Sequence, residues 1–164
     1  MDPKLLIIGH GRHGKDTVAE LIRDHYNLTF ISSSWAAARA IMPGLEAAGL
    51  DYSSVDAAYD DRHNHRELWK RLISEYNEDD KTRLANEILE SADIYVGLRC
   101  DVEFYAIRHL FDYVIGVTAF DRVGTLDPTF TIDLDECDFI LTNDGDEEDL
   151  ENDVQVMMET RVLI

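Results

Sequence analysis

Residues 9–17, Gly9-His10-Gly11-Arg12-His13-Gly14-Lys15-Asp16-Thr17, combine glycines, a lysine and a hydroxyl at the spacing G-x-x-x-x-G-K. Residues of these types at this spacing can hold a polyphosphate. Glycine-rich backbone turns its N–H groups toward the anion, and the lysine supplies a mobile cation. Gly9, Gly11, Arg12, His13, Gly14, Lys15, Asp16 and Thr17 are therefore candidate nucleotide-binding residues. Where Ser or Thr usually follows the lysine, the chain has Asp16, with Thr17 next. Both are candidate Mg²⁺ ligands, the carboxylate directly or through water. Asp16 alternatively only favours the first helical turn through its charge. His10 and His13 read as loop filler, with phosphate contact as the other reading.

The elements that must position this loop are legible on both sides of it. Leu5-Leu6-Ile7-Ile8 is apolar and short, as a strand covered on both faces should be. Val18, Leu21 and Ile22 then recur at helical spacing over 15–25. The loop thus opens a helix, whose N-terminal N–H groups and dipole favour an anion. Further on, the pattern predicts a strand over 28–31 and a helix through 35–42 that Ser32, Ser33 or Ser34 caps and that stops near Pro43-Gly44. Helices are expected over 61–76 and 81–90, then a strand over 93–98 that delivers Arg99 at its end. A helix over 103–110, strands over 113–117 and 138–141 and a helix over 147–160 complete the pattern. Residues 118–137 are polar and irregular, with a short extended piece at 130–132. Strands alternating with helices imply a parallel sheet with right-handed crossovers. Ligands of such sheets bind at the carboxyl ends of the strands, where residues 9–15, 32–34, Arg99 and Asn143 converge.

With 164 residues, 45% of them hydrophobic, the chain is long enough for one domain with a real core. No apolar run approaches the roughly 20 residues that span a bilayer. The chain enters a strand at once, so no signal peptide is expected. Cys100 and Cys137 are only two and lie in no metal-type spacing, so a reduced cytoplasmic compartment is expected, with both as small core residues. The formal charge of −19 disfavours tight non-specific binding to nucleic acid. A high-salt host can also impose such acidity.

Gly14-Lys15-Asp16-Thr17 resembles the loop of phage deoxynucleoside monophosphate kinases, a branch of the P-loop kinases. The likeness extends, less specifically, to the helix over 34–42, the basic stretch at Arg62 and Arg66, Gly97-Leu98-Arg99 with Glu103, and residues 138–150. It implies an α/β three-layer sandwich with a five-stranded, mostly parallel sheet and helices on both faces. It also implies one P-loop kinase domain over 1–164, with an acceptor-binding helical insertion at about 34–90 and a reduced lid at about 119–137. ATP and Mg²⁺ follow as expected cofactors. Lys15 would grip the β- and γ-phosphates, Asp16 or Thr17 would hold the metal, and Asn143 and Gly145 would border the adenine.

A planar arginine suits an acceptor phosphate better than lysine. Arg39, Arg62, Arg66 and Arg99 are the acceptor-side candidates, with Ser34 and Glu103, and Lys15, Asp16 and Arg99 the catalytic set. Arg62 and Arg66 fall at i and i+4, on one face of the expected helix; a solvated face with Asp60, Asp61 and Glu67 is the other reading. Arg99 alternatively pairs with Asp101 or Glu103. Trp35 and Trp69 are expected in the core rather than under a base. Two departures stand out. The Asp that often precedes the strand-end arginine is missing, and the lid contains only Arg122 where relatives are rich in arginine.

The leading expectation is transfer of the γ-phosphate of ATP to a deoxynucleoside monophosphate. The alternative acceptor is the hydroxymethyl group of 5-hydroxymethyluracil in DNA, which the sparse lid favours and the acidic charge opposes. A non-catalytic nucleotide-binding module is the third reading. The expected partners are thus nucleotides, free or within DNA, with no membrane; a homodimer is compatible with the sequence.

Overall fold

The computed structural model describes residues 1–124 and 126–164. Thr125, within the lid stretch, lies outside the described residues. Five strands form one sheet in the order β2-β3-β1-β4-β5. They are β1 (Leu5–Ile8), β2 (Phe30–Ser32), β3 (Ile94–Val96), β4 (Tyr113–Thr118) and β5 (Phe139–Thr142). Every pairing is parallel. The sheet is therefore more regular than the mostly parallel one expected, and all its strand ends share one edge.

The central strand shows how two faces are built from one apolar run. Leu6 and Ile8 join a core with α2 (Ser33–Ala47), α4 (Arg66–Tyr76), α5 (Arg83–Ser91) and α6 (Asp101–Ile107). Leu5 and Ile7 join a second core with α1 (Lys15–Tyr26) and α7 (Glu147–Met157). Alternate side chains of a strand point to opposite faces, so a run buried on both sides must be apolar throughout. Leu5, Leu6, Ile7 and Ile8 are all fully buried. The expected three-layer α/β sandwich is the observed architecture.

Five local expectations change. The second helix does not stop at Pro43 but runs from Ser33 to Ala47 with the proline inside it. Proline leaves the Arg39 carbonyl without its helical donor, yet burial of Ile41 and Leu45 continues the helix. It ends one turn later, at Gly49 with φ +88°. Gly44 is where Leu72 of α4 comes closest: a Cβ there would stand 2.7 Å from its methyl.

The helix expected over 61–76 is broken. α3 (Val55–Asp60) is followed by a 3₁₀ turn at Arg62–Asn64, and α4 begins only at Arg66, after His65 leaves helical geometry with φ −135°. The cause is Asp61, whose carboxylate accepts from Tyr52 at 2.6 Å and Asn64 at 2.6 Å and lies 3.1 Å from His65 Nε2. That knot draws the chain off the helical path. No strand forms at 130–132; Leu134–Glu136 is instead a 3₁₀ turn. The final helix gives way at Met158–Val162 to a wider π turn. Cys100 and Cys137 are half-buried rather than core residues. Among the described residues no helix is long and apolar enough to cross a membrane.

Candidate functional site

β1 ends at the glycine-rich loop because its register leaves no room for a side chain. A Cβ on Gly9 would stand 2.5 Å from the Val117 carbonyl of neighbouring β4. The loop then places left-handed residues at alternate positions, Arg12 with φ +65° and Gly14 with φ +102°. Gly14, left-handed, is followed by the right-handed Lys15 that opens α1. Alternating handedness of this kind turns successive N–H groups toward one concavity. α1 starts with no side-chain cap. Its first donor with an acceptor inside the helix is Val18, to Gly14 O at 3.0 Å. The amides of Lys15, Asp16 and Thr17 have no such acceptor. They face a cleft of about 500 Å³ lined by Arg12, Lys15, Thr17, Arg122, Asn143 and Asp146, among others.

Lys15 is half-buried at this mouth. Burial lowers its pKa; Asp16 and Asp127 act to raise it and Arg99 to lower it. Among the described residues its ammonium has no hydrogen bond or ion pair within the protein. Asp16 is exposed and Thr17 half-buried beside it. Gly11 has open space where a Cβ would stand.

Three loops are tied together around the cleft. His13 is fully buried. Its Nδ1 accepts from Ala119 N–H at 3.0 Å, where β4 gives way to the lid stretch. Burial, reinforced by His10 and Arg122, lowers its pKa and keeps the ring neutral. The Nε2 that then carries the proton has no partner among the described residues, and Phe120 packs edge-on against the ring, centroids 5.1 Å apart. His13 O accepts from Asn143 Nδ2 at 3.0 Å. Arg122 donates to Asn143 O at 3.1 Å and to Arg12 O at 3.2 Å. Asp144 accepts from Asp121 and Arg122 N–H, both at 3.1 Å. Asn143 thus borders the cleft, as Gly145 does, with its amide committed to the loop backbone. Gly145 admits the Asp149 carboxylate of a capping box that Asp146 and Asp149 form at the start of α7.

On the other side, β3 leads into two consecutive left-handed residues, Gly97 with φ +122° and Leu98 with φ +92°. The second is costly for a residue with a side chain. A Cβ at Gly97 would meet Ser33 Oγ at the start of α2. This tight junction presents Arg99, whose partner is neither Asp101 nor Glu103 but Asp127 at 3.2 Å. Ser34 and Arg39 are exposed on α2, and Arg39 lies 5.4 Å from the ring centroid of Trp35. Trp35 is half-buried, with its Nε1–H donated to Asp56 at 2.8 Å, so only Trp69 is the core tryptophan expected. Glu103, on α6, keeps an exposed surface, yet burial of its carboxyl raises its pKa against the pull of Lys81.

Arg62 and Arg66 do not share a helix face, because the chain breaks at His65. Arg62 stacks 3.9 Å from the Tyr59 ring centroid and donates to Tyr59 O at 2.9 Å. Arg66 Nη2 lies 3.3 Å from His63 Nδ1. Sequence reasoning passed over Asp127 and the structural part of His13. The only signal available was their proximity in sequence to the lid and the loop.

No protein-family model matches the chain, and no curated protein sequence matches it. Solved structures do. TT1252 from Thermus thermophilus superposes with a TM-score of 0.58 at 18% identity, covering 99% of this chain and 100% of that one. Shikimate kinase from Bacteroides thetaiotaomicron superposes with a TM-score of 0.50 at 12% identity, covering 96% and 97%. The chain has the P-loop kinase fold. At such identities the likeness fixes the fold and leaves the chemistry to the residues.

Proposed function

We propose that this P-loop chain is an ATP-dependent phosphotransferase acting on a deoxynucleotide, with a deoxynucleoside monophosphate as the acceptor. The observation that carries it is the half-buried Lys15 without a protein partner, beside first-turn amides that have no acceptor. A half-buried cation beside first-turn N–H groups that have no helical acceptor favours an anion at that mouth. The β- and γ-phosphates of ATP meet both needs. Gly11 leaves the backbone open for close approach, and the cleft toward Asn143 and Gly145 has room for the nucleoside.

Asp16 and Thr17 would hold Mg²⁺, which when bound neutralises phosphate charge. Mg²⁺ usually keeps several waters and is held by one or two side chains together with phosphate oxygens. In the transfer an acceptor oxygen bonds to the γ-phosphorus as the bond to the ADP oxygen breaks. Lys15 and the loop amides stabilise the charge shifting onto that leaving oxygen. Ser34, Arg39, Arg99 and Glu103 form the acceptor side in this reading, with residues 34–90 as its helical wall and 119–137 as the lid.

One observation favours the second reading, transfer to the hydroxymethyl group of 5-hydroxymethyluracil in DNA. Arg62, Arg66 and Arg99 already have partners, and Arg122 is bound to two backbone carbonyls. A neutral hydroxyl needs fewer free cations than an incoming phosphate.

The test is an acceptor screen with γ-labelled ATP and Mg²⁺, comparing the natural deoxynucleoside monophosphates with DNA containing 5-hydroxymethyluracil. Label on a monophosphate supports the first reading, and label on the modified DNA alone the second. ATP binding with label on neither leaves the nucleotide-binding module.

A further inference from the structure

Asp127 lies between β4 and β5, yet it is fastened to the opposite side of the site. Its Oδ2 stands 3.2 Å from Arg99 Nη1, with the carboxylate side chain only 18% exposed against 62% for the arginine. Its Oδ1 accepts from the N–H of Thr129 at 2.9 Å and from its hydroxyl at 2.6 Å. Its own N–H donates to His10 Nδ1 in the glycine-rich loop at 3.2 Å. Thr131 N–H bonds to Arg99 O at 2.7 Å, and the Phe130 ring rests on His10 with centroids 4.5 Å apart. The segment over 127–131 is therefore pinned to the end of β3 and to the loop together. Arg99 and Asp127 are both close enough to Lys15 for their charges to act on it.

A carboxylate held against Arg99 occupies the position in which that arginine would receive another anion. The pair is partly solvated, so its own strength is modest. The effect on a ligand is larger, because an incoming phosphate gains Arg99 only by displacing Asp127 and then stands beside its charge. An uncharged group meets no such competition. We propose that Asp127 is a specificity-determining residue, whose carboxylate fills the anion seat of Arg99 and weakens acceptor-side binding of phosphate. The proposal rests on the kinase reading for the meaning of "acceptor", but its measurement is one of binding.

The full chain is saturated with Mg²⁺ and a non-hydrolysable ATP analogue, and each of the natural deoxynucleoside monophosphates is titrated by calorimetry. Asp127→Asn keeps the oxygen that accepts from Thr129 and removes the charge. It is expected to bind the best monophosphate at least tenfold tighter than the unmodified chain. The gain should vanish in the Arg99→Gln, Asp127→Asn double variant, since the seat itself is then gone. Asp127→Ser serves as a second neutral replacement and should shift affinity in the same direction. Unchanged or weaker binding in both single variants, an equal gain in the double variant, or no monophosphate binding by any variant overturns the proposal. Should the unmodified chain bind no ATP analogue, the kinase reading fails on its own. The titration is then run with inorganic phosphate, where Asp127→Asn must still bind more tightly than the unmodified chain.

Discussion

Lys15→Met separates ligand binding from folding. Methionine keeps the apolar stem and removes the ammonium. In the fold that ammonium is half-buried, and burial holds its pKa below the ordinary lysine value. A group whose charged form is disfavoured in the fold costs stability wherever it is charged. The cost applies at neutral pH and fades as pH rises through the lowered value toward the ordinary lysine range near 10.4. The group keeps some solvent contact, so the cost is small; in a domain of this size each kcal/mol corresponds to about 2–4 °C.

Lys15→Met should therefore melt at the same temperature as the unmodified chain or up to a few degrees higher at pH 7, the gap closing above pH 10. Binding should behave oppositely. Charge-assisted hydrogen bonds contribute about 1.5–3 kcal/mol each. Loss of one or two of them weakens ATP by about 10- to 10⁴-fold. Calorimetric titration with Mg²⁺-ATP and a thermal melt of the same samples decide the matter. A variant that melts many degrees lower while binding ATP as before would show that Lys15 is a structural cation, and the phosphate seat would have to be abandoned.

Gly14→Ala should damage both stability and binding. The alanine inherits a left-handed φ at a cost of about 1–2 kcal/mol, and its Cβ collides with the Asn143 amide. That endangers the bond to His13 O, worth about 1 kcal/mol. A drop of several degrees in melting temperature with weakened ATP binding is expected, and an unchanged melt would refute the geometry. Asp93 gives a pH signature. Burial pushes its pKa up, but Lys4 Nζ at 2.8 Å and the N–H and hydroxyl of Thr29 together outweigh that and hold it below the ordinary value. A depressed carboxylate stabilises the fold above its unfolded pKa, near 4, and that stability is lost as pH falls through the lower folded value. Asp93→Asn should lower the melting temperature at pH 7 and flatten its decline on acidification; an equally steep decline would assign it to other carboxylates. The charge of −19 should also repel ATP at long range. Stopped-flow association is then expected to quicken as salt rises from about 20 to about 150 mM, and slower association would place the dominant field in the cleft cations Arg12, Lys15 and Arg122.

The parts of the fold that sequence made legible are those that local periodicity dictates. Leu5-Leu6-Ile7-Ile8 could be read as a doubly covered strand because four consecutive apolar residues suit no amphipathic element. Val18, Leu21 and Ile22 marked α1 by a different pattern, apolar residues recurring at helical spacing. The helix break at His65 was not legible. Arg62-His63-Asn64-His65-Arg66 contains neither proline nor glycine, and the interruption comes from a Tyr52 hydroxyl nine residues upstream of the carboxylate it reaches. Pro43 misled in the opposite direction, since a lost backbone bond is outweighed by the burial of Ile41 and Leu45 on either side of it.

The candidate site divides along the same line. The glycine-rich loop is contiguous, and its spacing alone places Lys15 at a helix N-terminus. The supports of that loop come from elsewhere: Asn143 is 130 residues from the carbonyl it holds, and the Ala119 amide is 106 residues from the His13 ring. No local pattern encodes such pairs. They also explain why a histidine that reads as filler is fully buried. His13 joins the glycine-rich loop to the end of β4 by its ring and to Asn143, just past β5, by its carbonyl. Asp127 does the same for Arg99 from the far end of the lid stretch. The stretch over 119–137 is poor in arginine, with Arg122 alone. It ties down Arg99 through Asp127 and binds its own Arg122 to two carbonyls, so that Lys15 and the exposed Arg12 are the cleft-lining cations without a side-chain partner among the described residues.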